Sequence, residues 1–264
     1  MPSADGGMPI LLVSAPAYRA ALLQAQLAPI LIGAGYRVVA VDLRELNGGR
    51  PPETIGELAA RVAAMVEREV GGPCRVVGDF IGALVTQELV ITRPDLVTSA
   101  VFSAVRLEPT RMNRAVHEEI IARIEQAQDI PPRPLALMRA GQLYAPQRLT
   151  DDGHLAAALG TIGVLPTEVA AEAGVLRMSL AYEVQPRRLS TITRPCLVLG
   201  FQYDAVTPPH QARQVADLIP GGELTIVPCG HGGAVDDPEA IGSTLVRFFG
   251  RERVVDSAGR QCID

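Results

Sequence analysis

The chain has 264 residues, 48% of them hydrophobic and 20% charged, with a formal net charge of -5. That suits one globular domain with room for an inserted subdomain. The acidic balance excludes a broad basic surface and argues against nucleic acid as a partner. No apolar run reaches the ~18–20 residues of a membrane span, and "MPSADGGMP" has neither the basic nor the apolar region of a secretion signal, so a cytoplasmic protein with no membrane partner is expected. None of the four cysteines (Cys74, Cys196, Cys229 and Cys262) is spaced as Cys-x-x-Cys; Cys74 and Cys196 lie in strand-like runs and are read as buried, reduced thiols. No group of His, Cys and carboxylates has metal spacing, and no cofactor is expected.

In chain order, Pro9–Ala15 ("PILLVSA") reads as a strand, followed by a helix over Ala17–Ala34 that Gly35 closes. "GAG" at Gly33–Gly35 thus ends a helix and is not a phosphate loop. Tyr36–Leu43 is a second strand. A helix announced by Thr54 runs to Gly71-Gly72. "CRVVGD" is a third strand, leading into a helix over Ala83–Arg93, and Val97–Val105 is a fourth. Strands alternating with helices imply right-handed crossovers and a parallel sheet, and the near-continuous apolar strands imply burial on both faces. From about Arg106 to Arg188 strands cease. Helical stretches at Met112–Gln128, Pro131–Leu143, Gly153–Leu159 and Thr167–Tyr182 make an insertion of helices. Alternation resumes with "PCLVLGF", "PPHQARQVADLI", "ELTIVPC" and "DPEAIGSTLVRFF". A core over 1–105 and 189–252, a helical cap over 106–188 and a frayed tail over 253–264 are expected.

Three motifs carry chemistry. "VGDFIGALVTQEL" is a strand, a Gly-x-x-x-Gly turn and a helix. "LGFQYDAVTPPHQA" is a strand end with a D-x-x-T-P loop. "VPCGHGGAVDDPEAIGSTLVRFF" joins a Gly-His loop to the last helix. Together and in this order they resemble the α/β-hydrolase superfamily: a mainly parallel sheet with helices on both faces and an inserted helical cap. The resemblance implies that the first motif is the nucleophile elbow, usually G-x-S-x-G, that Asp204 is the acid and that His231 is the base. "GALV" resembles the epoxide-hydrolase and dehalogenase branch.

The departures are specific. Phe80 stands at the nucleophile position, and a phenyl ring forms no acyl or alkyl intermediate. Asp79, one residue earlier on a sharp turn, cannot replace it; it is a second pocket carboxylate or, as the preferred reading, an acceptor for nearby backbone N–H groups. Where the family has His-Gly after its strand, this chain has Ser14 and Ala15, then Pro16, which lacks an N–H. One oxyanion donor is therefore expected to be missing. The chain also opens at the third strand of the usual sheet, so the first hairpin is expected to be missing or to precede this sequence.

Phe80, Asp79, Ile81, Ser14, Ala15 and Pro16 are expected to line the substrate pocket. His231 is either a working base or a loop-holding residue bonded to Asp204. Asp204 either orients it or caps the helix from Pro208. His117, His154 and His210 are read as surface or helix-face residues, and Arg187 and Arg188 as a solvated charge pair rather than carboxylate ligands at the hinge of the cap. A Phe at the elbow also resembles the bottromycin-type peptide aspartate epimerases. That resemblance implies a cofactor-independent, non-hydrolytic isomerase of natural-product biosynthesis, which epimerises an aspartyl α-carbon in a modified ribosomal peptide through an enolate. Two other readings are a silent protein that binds a peptide or small molecule, and a hydrolase in which His231 activates water directly.

Overall fold

A computed structural model describes residues 8–14, 19–46, 54–126, 132–163 and 169–252. Six strands form one parallel sheet in the order β2-β1-β3-β4-β5-β6: β1 Pro9–Val13, β2 Arg37–Val41, β3 Cys74–Asp79, β4 Val97–Ser103, β5 Cys196–Phe201 and β6 Glu223–Val227. Successive strand residues serve opposite faces, as the two-residue period requires. Leu11, Val13, Val76, Phe102 and Val198 pack into the layer under α3 (Ile55–Met65), α4 (Ile81–Thr92) and α10 (Pro209–Leu218). Ile10, Leu12, Val77, Val101 and Leu199 pack into the layer with α1 (Arg19–Gly33) and α12 (Pro238–Glu252). Both faces are covered, which is why the strands show no polar alternation.

Local signals explain most boundaries. Thr54 caps α3 in a reciprocal capping box with Glu57, each bond 3.1 Å long. α3 continues as a π-helical turn over Val66–Val70, and Gly71 ends it at φ 77°. The fourth strand stops at Ser103, short of the expected Val105, because Ala104 takes φ 53° and turns the chain out of the sheet. Helix α4 begins at Ile81, two residues earlier than expected, since the turn before it is completed within Phe80. A short helix α2 (Leu43–Leu46) also follows β2.

The described residues between β4 and β5 form helices and no strand. The helices are α5 (Arg111–Glu125), α6 (Pro132–Leu143), α7 (Asp152–Gly163), α8 (Val169–Ala181) and the short α9 (Pro186–Leu189). The prolines of α6 fall in its first turn, where the missing N–H groups have no helical acceptor anyway. Ile121 of α5 packs on Ala173, Leu176 and Leu180 of α8, while Ala140 and Leu143 of α6 pack on Ile162 of α7. The tail over 253–264, with Cys262, lies outside the described residues. No helix among the described residues is long and apolar enough to cross a membrane. Cys74, Cys196 and Cys229 are buried and form no disulfide among the described residues, and burial pushes Cys74 and Cys229 up to about 12, so neither is a thiolate at neutral pH.

Candidate active site

All six strands run the same way, so their carboxyl ends share one edge, where sheets of this kind bind ligands. The elbow follows β3, Arg106 follows β4, the Asp204 loop follows β5, and the His231 loop follows β6.

Phe80 occupies the apex of the elbow with φ 53° and ψ -109°, a conformation that costs a non-glycine residue about 1–3 kcal/mol. Two glycines make the turn possible. A Cβ on Gly82 would lie 2.0 Å from the Val13 carbonyl oxygen, and one on Gly78 would lie 2.5 Å from the Gly82 oxygen. Phe80 donates its N–H to the Ser103 carbonyl at 3.0 Å. Asp79 is buried and accepts from the Ser103 hydroxyl at 3.1 Å, a side-chain donor on the next strand, which ties β3 to β4 at the sheet edge. Ile81 is buried in the core layer under α4 rather than on an open surface. Ser14 is fully buried just beyond β1. Ala15 and Pro16 lie outside the described residues.

Asp204 and His231 meet. His231 Nδ1 lies 2.8 Å from Asp204 Oδ2, and both residues are buried. Asp204 also accepts from the Val206 N–H (2.8 Å), the Thr207 N–H (2.7 Å) and the Thr207 hydroxyl (2.7 Å). It therefore shapes its own loop and orients the imidazole at once, while Pro208 stands at the start of α10 with no side-chain cap bond. Burial alone would raise the Asp204 carboxyl. The charge of His231 and the hydrogen bonds from His231 and Thr207 outweigh it and hold the group below the usual aspartate range.

The His231 loop is pinned from both ends. Asp236 Oδ2 accepts the N–H groups of Gly230 (2.8 Å) and Ala145 (2.9 Å), while the N–H groups of His231 and Gly232 donate to the Gln142 and Leu143 carbonyls of α6 at 2.9 and 2.8 Å. Since Nδ1 is committed to Asp204, Nε2 is the nitrogen left for chemistry. The half-buried Phe80 ring stands edge-to-face to the imidazole, with centroids 4.6 Å apart and planes at 87°. Where a hydroxyl would be expected, the imidazole meets a phenyl ring.

One expectation needs correcting. Arg188 is not a solvated charge: its Nη1 and Nη2 bind Glu88 at 2.5 and 2.8 Å, and the buried Glu88 also accepts from the Tyr182 hydroxyl at 3.0 Å. The partner lies 100 positions away in sequence, so no local pattern announces it. His117 keeps its helix-face reading and is half-buried. It lies on the inward line Asn113–His117–Ile121 of α5, between Asn113, which donates to the Val206 carbonyl at 3.3 Å, and Ile121 in the contact with α8. Its Nδ1 is buried without a hydrogen-bond partner among the described residues. By contrast His154 and His210 are exposed, and His154 pairs with Asp151. No cluster of three or more His, Cys, Asp and Glu among the described residues could hold a metal ion.

Burial, then the charges of Arg106 and His231, push His117 down to about 4. The unfolded chain binds a proton near 6.5 that the folded protein refuses. Stability from this residue is therefore complete above about pH 6.5 and falls as the pH drops towards about 4. His117→Phe is expected to flatten that limb of a urea-midpoint profile, whereas an unchanged slope would contradict the burial of the ring.

Residues 10–243 match the Alpha/beta hydrolase family, and the chain belongs to that family of enzymes. It is 32% identical over 227 residues, 84% of this chain and 86% of the other, to the Mycobacterium tuberculosis protein named "Putative non-heme bromoperoxidase BpoC". The crystal structure of that protein superposes with a TM-score of 0.86 at 28% identity, covering 92% of each chain. It is also 28% identical over 258 residues, 93% of this chain and 92% of the other, to the Variovorax paradoxus protein named "Putative carbamate hydrolase RutD".

Proposed function

We propose that this protein is a cofactor-independent, non-hydrolytic enzyme that takes a proton from carbon next to a carbonyl. The observation that carries the reading is the assembled His231–Asp204 pair beside a phenyl ring at the nucleophile position. His231 Nε2 accepts the α-proton, and the electron pair of the C–H bond moves into the carbonyl to give an enolate. The imidazolium is held by Asp204 through Nδ1–H. The enolate oxygen lies towards the N-terminus of α4, whose dipole favours negative charge. A proton from water delivered to the opposite face inverts the centre, and His231 returns the proton it took to the hydroxide so formed, with no bond to the enzyme and no net consumption of water. On the resemblance at the elbow, the substrate is an aspartyl residue of a modified ribosomal peptide. Incubating such a peptide and measuring the D-to-L aspartate ratio after total hydrolysis tests this. Drift of that ratio towards equilibrium from either epimer supports the reading, and an unchanged ratio contradicts it.

A second reading has its own support. His231 is only 3% exposed, with Phe80 standing over it, which suits a pocket that binds without reacting. The hydrolysis in the carbamate hydrolase's name would here require water activated by His231 directly. The Phe80→Ser variant probes the relic machinery. With Pro16 unable to supply an N–H, it is expected to stay ~100- to 1,000-fold below a site with both oxyanion donors. A full burst of p-nitrophenol from p-nitrophenyl acetate would show instead that the oxyanion site is intact.

A further inference from the structure

Arg106 is the largest fully buried side chain of the protein's described residues and lies three positions beyond β4. Its guanidinium donates to the Tyr182 carbonyl (3.2 Å), the Ser179 carbonyl (2.5 Å) and the Ser179 hydroxyl (3.1 Å), at the end of α8. All three acceptors are neutral. The neighbouring carboxylates are engaged elsewhere: Glu88 with Arg188, and Glu183 with Arg114 at 3.7 Å. A buried cation without an opposite charge in contact is a costly arrangement that an anion would relieve. Burial, and then Arg114, push Arg106 down to about 10, which leaves it charged at neutral pH.

His117 is a second group without a partner. Its buried Nδ1 is unsatisfied among the described residues, on the α5 face whose preceding turn bonds the Asp204 loop. Arg106 is bonded to Ser179 of α8, α8 packs on α5 at Ile121, and His117 lies one turn before Ile121, so both groups lie at the α5–α8 contact. A buried cation held by neutral acceptors and a half-buried imidazole whose Nδ1 has no partner among the described residues thus stand on the side of the candidate base.

We propose that Arg106 and His117 form a subsite beside His231 that binds a carboxylate of the substrate. With both Nη2 N–H groups given to Ser179, the guanidinium has its remaining N–H groups for one oxygen of a carboxylate, and the imidazole offers an N–H to the other once its tautomer is set by the bound anion. The identity of that anion as an aspartyl side chain rests on the proton-abstraction reading; the subsite does not. An anchored carboxylate also cannot be the base, which leaves proton removal to His231.

The test uses the full-length protein with isovalerate and its isosteric neutral amide, isovaleramide, with inorganic phosphate as a control anion. Binding is followed by calorimetry and by the ring C–H resonances of 13C-labelled histidine. Isovalerate is expected to bind at least tenfold more tightly than isovaleramide or phosphate and to shift the His117 resonance. Arg106→Gln is expected to bring acid and amide within twofold of each other. Should that variant fail to fold, His117→Gln carries the test, weakening isovalerate at least threefold while keeping a preference for the acid. Equal binding of acid and amide by the wild type, or a bound acid that leaves the His117 resonance unmoved, overturns the subsite. A protein that binds isovalerate selectively yet leaves aspartyl peptides unepimerised keeps the subsite and loses the enolate reading.

Discussion

Replacing His231 with alanine is expected to lower α-proton exchange by ~100- to 10,000-fold, the usual contribution of a positioned general base. The variant also leaves Asp204 buried, with its His231 bond gone and only its loop donors remaining. A stability loss of about 1–3 kcal/mol should accompany the change. Exchange must therefore be measured below the variant's unfolding transition, with circular dichroism confirming the fold. Asp204→Asn separates the two effects. It keeps the side chain's volume but weakens the imidazolium's partner, so exchange should fall with a smaller loss of stability. If His231→Ala exchanges at the native rate, the base is the substrate's own carboxylate, and His231 only holds its loop.

The largest effect on the fold is expected from Gly82→Ala. The added methyl would stand 2.0 Å from the Val13 oxygen, 2.5 Å from the Val13 carbonyl carbon and 2.9 Å from Ser14 Cα. All three are backbone atoms at the end of β1, so no side chain can swing aside. Separating α4 from the sheet should cost about 3 kcal/mol or more and displace Phe80 from His231. Gly160→Ala is the control. That glycine lies in α7 with nothing within 4 Å of a new Cβ, so the change should be neutral or stabilising by up to about 1 kcal/mol. Urea midpoints of the two variants make the comparison, and a Gly82→Ala midpoint equal to that of the native protein would contradict the close approach of elbow and strand.

Much of this architecture was readable from local pattern. β3 occupies the expected residues, Cys74–Asp79, because a short apolar run between turn formers has few other solutions. Asp204 and His231 were recognisable through the resemblance of their strand-end loops to those that carry the acid and the base in the α/β-hydrolase superfamily. Phe80 stood out against that same punctuation. The polar residues around the candidate site escaped for a common reason: each is buried or half-buried, and what it bonds is distant in sequence. Hydrophobic periodicity places Ile121 inside but says nothing of Asn113 and His117 on the same face of α5. Of the adjacent Asp236 and Asp237, only the fold shows that Asp236 pins the His231 loop to Ala145, 91 positions away. Arg106 had one usable signal, its place just past a parallel strand's carboxyl end, where sites of this fold gather.

The most direct test of proton abstraction is isotope exchange. The protein is incubated with an aspartyl-containing modified peptide in deuterated water, and the peptide is analysed by tandem mass spectrometry. One deuteron at a single aspartyl α-carbon, with no hydrolysis product and with incorporation falling ~100-fold or more in His231→Ala, is the predicted result. A peptide recovered without deuterium, or one cleaved by water, would contradict the account.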